Sequence, residues 1–407
     1  MEKKDAFCRY RFVGAVFLFL FSSLFLGSLF VYAGGVRGVT DDTIDIGVIL
    51  AQTGPVADTT VPITEGIRNY FQYINEQGGI YNRKVKLIVE DDRYTIPLAM
   101  AAFKKLIFRD EVLTILGMGG SGQTKAFYHS IEKNRVPGII ISLAEDMIKP
   151  CKRYLFIPCA TYEDEIKVIF KYLIEDLRVI NPRIGFINLD IEYGKIGRAA
   201  AVKTAESYGI KMVAMEIINL AATEATTQVL AMKKAKVNHV ILQTSNVTAA
   251  AFLRSAKMLD FNSNFIGTYY VCDDDVVRIA GDAARNLIGV HSFASWHEDA
   301  EGVAQMRGIT LRYKPGTEKP MRNKFYTQGW AIALICAEGL KKAGRDLTIE
   351  GFVDGIENIR NLDTAGITAP ITYSSTKHKP SDACKMYKAD IANKRVVPIS
   401  GWLTPKE

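Results

Sequence analysis

At 407 residues the chain exceeds what one hydrophobic core usually organises, so at least two lobes are expected. Its 48% apolar and 23% charged residues lie in the ordinary globular range and exclude a long disordered tract. The formal charge of +7 has no basic cluster behind it, since Lys and Arg alternate with acids on stretches such as 203–211; this argues against a nucleic-acid partner and reads as a solvated surface.

The N-terminus differs in kind from the rest. Lys3, Lys4, Arg9 and Arg11 precede an almost unbroken apolar run over 12–32, and Val31 and Ala33 place small residues before a cleavage point after Ala33. Residues 1–33 therefore read as a signal peptide directing the protein to the periplasm. An uncleaved anchor is the alternative, because about 20 apolar residues can span a bilayer. No cysteine follows the run, so lipoprotein processing is not expected. Export implies an oxidising compartment. Cys151 and Cys159 flank a short apolar strand over 154–157 and are the first pair to consider, although a bridge requires that segment to double back. Cys336 sits among apolar helical residues and reads as buried packing.

From Thr43 apolar β-branched runs alternate with amphipathic segments, the signature of a parallel sheet covered by helices. Strands are predicted over 44–50, 85–90, 113–117 and 136–141, with helices over 63–76, 98–109 and 123–134 between them. In the first helix Ile63, Ile67, Tyr70, Phe71 and Ile74 recur at spacings of three and four, giving one buried stripe that Gly78 and Gly79 stop. A second series follows Thr161: helix 164–177, strand 184–188, helix 195–208, strand 212–217, helix 224–235, strand 239–243, helix 248–259 and strand 265–268. Then come a strand over 287–291, helices over 326–343 and 349–356, and β-rich segments over 367–373 and 386–399. No low-complexity linker separates the two series, so short crossovers must join the two lobes.

Gly117 to Gly122 follow a strand, open a helix and formally match G-x-G-x-x-G. A dinucleotide fingerprint belongs in the first βα turn, whereas this is the third. What the segment offers physically is an exposed helix N-terminus favouring an anion, with Ser121 adding a hydroxyl; a carboxylate fits as well as a phosphate. A tight turn that needs glycine for packing is the alternative. Tyr193 with Gly194 lies between a strand and a helix, and Tyr269 and Tyr270 end another strand; both are crevice positions in a doubly wound sheet, where a tyrosine either lines a pocket or packs under a loop. No nucleophile stands beside a base, His291 and His297 are too far apart for a triad or metal pair, and no G-x-S-x-G elbow or P-loop occurs. No catalytic residue, metal or cofactor is predicted.

Four segments carry a resemblance that covers almost all of the chain after the signal: "IDIGVILAQTGPVA" over 44–57, "INEQGGIYNRKVKLIVEDD" over 74–92, "IEYGKIG" over 191–197 and "YTQGWAIALICAEGLKKAG" over 326–344. They resemble the type I periplasmic binding proteins of the Leu/Ile/Val-binding family. The resemblance implies an α/β fold of two doubly wound parallel-sheet lobes joined by a three-crossing hinge, with solute held by closure. Lobe 1 would comprise 40–161 and 291–375, and lobe 2 162–290 and 376–407. It further implies a ligand carboxylate held at Ser121 and Gly122, contacts from Ser142 and Ala144 at the end of the fourth strand, and Tyr193 in the Tyr-Gly turn. Tyr269 stands where the family places an acid for the ligand ammonium, Ala144 where it usually has threonine, and Tyr94 and Gly120 where it has paired cysteines. The first two departures point to a ligand with a carboxylate but no α-ammonium.

The expected function is the solute-binding component of an ABC importer, monomeric, capturing an amino acid or related small organic carboxylate for a membrane permease. The alternative is a sensing module of the same fold that reports to a receptor or regulator. An exported enzyme is disfavoured, because nothing in the chain supplies its chemistry.

Overall fold

The computed structural model describes residues 35–316, 319 and 322–406, and the signal peptide expected at 1–33 lies outside them. Among the described residues no helix is long and apolar enough to cross a membrane.

The first series forms β1 (Thr43–Ile49), α1 (Ala57–Glu76), β2 (Lys84–Glu90), α2 (Ile96–Phe108), β3 (Thr114–Gly117), α3 (Ser121–Asn134), β4 (Gly138–Ile140) and β5 (Leu155–Phe156). These strands make one parallel sheet in the order β2-β1-β3-β4-β5, in which Ile46 sits between Leu87 and Thr114. Ile44, Ile46, Val48 and Ile49 are all buried, as expected of a strand covered on both faces by crossover helices.

The second series forms α4 (Tyr162–Lys171), β6 (Ile184–Leu189), α5 (Glu192–Ser207), β7 (Ala214–Ile218), α6 (Thr226–Lys234), β8 (His239–Gln243), α7 (Asn246–Met258), β9 (Asn264–Gly267), α8 (Asp274–Ala280) and β10 (Leu287–His291). Helices α9 (Glu301–Tyr313), α10 (Lys324–Ala343) and α11 (Ile349–Glu357) follow, then strands β11 (Lys385–Asp390) and β12 (Arg395–Pro398). The second sheet runs β12-β11-β10-β9-β8-β6-β7, parallel except where β11 joins β10 and β12 joins β11. The chain therefore passes between sheets three times: from β5 to β6, from β10 to the helices that pack on α1, and from α11 back to β11. This is a two-lobed α/β fold of doubly wound parallel sheets.

Boundaries move where local chemistry overrides periodicity. Helix α4 begins at Tyr162 because Thr161 and Asp164 form a capping box, and it ends in a π-helical turn over Tyr172–Asp176. The β-rich segment expected over 367–373 makes only an isolated bridge, Leu362 to Ile371; Pro370 lacks a ladder N–H, and Ala365 and Gly366 have left-handed backbones, at φ 50° and 90°. No bridge joins Cys151 and Cys159: all five cysteines among the described residues are free, and β5 keeps the intervening chain extended. Cys336 is buried on α10.

Helices α1 and α10 cross through two glycines. A Cβ on Gly329 would lie 2.0 Å from the Ile63 carbonyl oxygen, and one on Gly66 would lie 2.2 Å from that of Tyr326. Gly308, on the exposed face of α9, has nothing within 4 Å. We expect Gly329→Ala to lower unfolding free energy by about 1–3 kcal/mol or more, and Gly308→Ala to raise it by about 0.5–1 kcal/mol. Urea denaturation of the two variants checks this, and equal midpoints would contradict the crossing.

Candidate ligand-binding site

In a parallel sheet every strand ends, and every following helix begins, at the same edge. The carboxyl edges of the two sheets enclose a cavity of ≈ 40 Å³. From the first sheet it is walled by Val56, Thr59 and Thr60 at the start of α1, Tyr94 before α2, Gly120 and Ser121 at the start of α3, and Ile141 after β4. Tyr162 enters at the start of α4. The second sheet contributes Leu189, Ile191 and Tyr193 around the start of α5, Leu220, Thr244 and Ser245 before α7, and Tyr270 after β9. No Asp, Glu, Lys, Arg or His stands in this wall.

The helix starts give the cavity its polarity. No side chain caps α3 or α5, so their first N–H groups have neither a helical nor a side-chain acceptor, whereas the Ala57 and Thr59 N–H groups of α1 are taken by Gly54, Val56 and Asp58 and α7 is capped by Ser245, which accepts from the Thr248 N–H. The open positive ends of α3 and α5 thus meet a space whose wall has no charged side chain.

The glycine-rich turn into α3 combines both readings of its motif. Gly117, Met118 and Gly119 adopt left-handed backbone at φ 86°, 55° and 65°, which reverses the chain out of β3. Gly120 is required by a close approach, since a Cβ there would meet the Tyr94 ring at 2.7 Å. The turn leaves the α3 start open. Ser121, only 2% exposed, shares a 2.8 Å hydrogen bond with the Ser142 hydroxyl.

Aromatic rings make much of the remaining wall. Tyr162 meets Tyr193 edge to face at 4.9 Å between centroids, and Tyr193 meets Tyr270 in the same way at 5.1 Å. The Tyr193 hydroxyl is paired with Thr268 Oγ1 at 3.0 Å. Burial pushes the Tyr94 phenol up to about 12 and that of Tyr193 well above its ordinary value, so both remain neutral hydroxyls.

Of the six residues singled out from sequence, Ser121 and Tyr193 stand in the wall. Ser142 lies behind Ser121, Gly122 is in the first turn of α3 against Ile96, and Ala144 is fully buried ahead of a short 3-10 turn. Tyr269 points away: its hydroxyl donates to Gln328 Oε1 at 2.8 Å, and its neighbour Tyr270 takes the wall position. Tyr94, Tyr162, Thr59, Thr60, Thr244 and Ser245 carry no sequence motif of their own, and only their shared place in βα turns could have suggested them.

Comparison with known proteins places this geometry. The family model described as "Periplasmic binding protein" matches residues 43–395. The chain is 24% identical to the Leu/Ile/Val-binding protein BraC3 of Rhizobium johnstonii over 85% of its own length and 91% of that protein's. It is similar in fold to a branched-chain amino acid ABC transporter protein from Thermus thermophilus solved with bound valine (TM-score 0.83, 21% identity, 90% of this chain and 97% of that one). A fatty acid ABC transporter substrate-binding protein from Thermomonospora curvata is similarly close (TM-score 0.81, 20% identity, 92% and 96% covered). With the match spanning nearly all of the described chain, the protein belongs to the periplasmic binding protein family.

Proposed function

We propose that this chain is the extracytoplasmic solute-binding component of an ABC importer, closing two lobes on a small organic carboxylate and delivering it as a monomer to a membrane permease. One observation carries the reading: the uncapped start of α3, with Ser121 beside it, opens into a cavity between the two sheets that no charged side chain neutralises. In this reading the carboxylate sits on the Ser121 hydroxyl and the N–H of Gly122, Ser142 orients Ser121, and Tyr193 closes from the other lobe. Ala144 and Tyr269 shape the site from behind the wall. The lobes would divide as 40–161 with 291–375 and 162–290 with 376–407. Relatives named as Leu/Ile/Val-binding proteins, and the valine held by the Thermus protein, support a ligand of this size and an import role.

Contacts between the lobes support closure. Lys125 on α3 pairs with Glu192 at the start of α5 and lies 2.7 Å from Asp146. The Tyr270 hydroxyl donates to the Ile141 carbonyl at 3.4 Å, and Asn323 Nδ2 to Asp275 Oδ2 at 3.4 Å. The Lys125 bridge is partly exposed and screened, so it acts as a weak latch.

Ser121→Ala should weaken ligand binding by about 1.5–3 kcal/mol, the usual value of a hydrogen bond to a charged group, or roughly 10- to 150-fold in Kd. Calorimetry giving an unchanged Kd would remove this turn from the site. Lys125→Met should weaken binding by about 0.2–1 kcal/mol at low salt, with the difference fading as ionic strength rises; a salt-independent loss would contradict the latch. Small-angle scattering should show a smaller radius of gyration with ligand than without, and identical radii would count against clamp closure.

A further inference from the structure

We infer that the ligand of this site is an apolar carboxylate that carries no ammonium group. The inference deepens the carboxylate reading above and rests on it. An α-amino acid brings two charges into a closed cleft, and each must find a partner once water is excluded. The structure provides for the anion, through the two open helix starts of α3 and α5 and the Ser121 hydroxyl. For a cation it provides the reverse, because those helix starts present their positive ends and no carboxylate lines the wall.

No acid stands in the wall itself; Asp92, fully buried behind the α3 turn, accepts from the Tyr94 N–H through Oδ1, and burial raises its carboxyl. Glu192 is bound to Lys125. Asp58, in the first turn of α1 and outside the wall, accepts from the Thr59 N–H through Oδ1, and burial raises its carboxyl where it faces Asn246 and Asp275 of the second lobe. Asp273 faces Lys324 at 3.8 Å, both side chains being 1% exposed. Glu165 is fully buried outside the wall, and one oxygen accepts from the Tyr269 N–H. Burial raises its carboxyl well above the ordinary carboxylate range, which disfavours the charged form that a cation would need.

The remainder of the wall suits an uncharged body. Val56, Ile141, Leu189, Ile191 and Leu220 supply aliphatic surface, and the tyrosines supply ring faces and edges.

Calorimetry on protein stripped of ligand by unfolding and refolding, with leucine against isocaproate and valine against isovalerate, decides the class. Each acid is expected to bind at least tenfold more tightly than its amino acid, and isopentylamine is expected not to bind. Leucine or valine binding as tightly as its deaminated partner would overturn the inference while leaving the solute-binding reading intact. Silence from acids and amino acids alike would overturn both. Glu165→Gln provides an independent check: isocaproate affinity should change less than twofold, whereas a variant that loses tenfold or more would mean that this buried acid contacts the ligand and that the charge argument fails.

Discussion

A parallel strand cannot pair with its successor without a crossover, and a right-handed crossover helix always starts at the carboxyl edge of the sheet. Everything at the cleft follows from that constraint. Each βα turn delivers the positive end of a helix and a loop of a few residues to one edge, and two such edges face each other across the cavity. Binding an anion needs no dedicated basic residue here, because the backbone supplies the partial charge. Side chains are left to decide what else the ligand contains, and in this chain they are hydroxyls, aliphatic groups and phenols.

The two sheets hold this relation through segments far from the cavity in sequence. Helix α10 belongs to the first lobe by its glycine-mediated crossing with α1, yet its first residue reaches into the second. Lys324 donates to the Cys272 carbonyl, faces Asp273, and lies 5.0 Å from the centre of the Tyr269 ring. Two charges at 1% exposure are costly to desolvate, and such pairs fix geometry more than they add stability. Tyr269, which contacts both this lysine and Gln328, belongs to the same buried junction. A tyrosine there joins the lobes without lining the cavity, and its neighbour Tyr270 takes the wall position.

That one-residue difference shows what a sequence can and cannot reveal. Strands and helices were legible because burial imposes a period, as in Ile63, Ile67, Tyr70 and Ile74 on α1. Helix α9 has the same kind of stripe, in Val303, Met306, Ile309 and Thr310, although its polar setting hides it. Ser121 was legible because it is a hydroxyl at the strand-to-helix turn of a parallel sheet, although the glycines around it also serve the turn and its packing against Tyr94. Tyr94, Tyr162 and Ser245 were not, because each is an ordinary residue in its own turn and only the three passages between sheets bring them together. Orientation within a turn, which separates Tyr269 from Tyr270, depends on backbone angles that composition does not encode. The expected bridge between Cys151 and Cys159 failed for a similar reason: proximity in sequence says little about a segment held extended by a sheet.

In this reading the open starts of α3 and α5 hold an anionic solute in a cleft whose wall has no partner for a cation. A crystal structure of the protein purified without refolding, and so still carrying whatever it captured, tests this most directly. Density is expected between the lobes, with a carboxylate on Ser121 and the first N–H groups of α3 and an uncharged body against Tyr162, Tyr193 and Tyr270. An ammonium seated on an acidic side chain, or a ligand bound away from the start of α3, would contradict it.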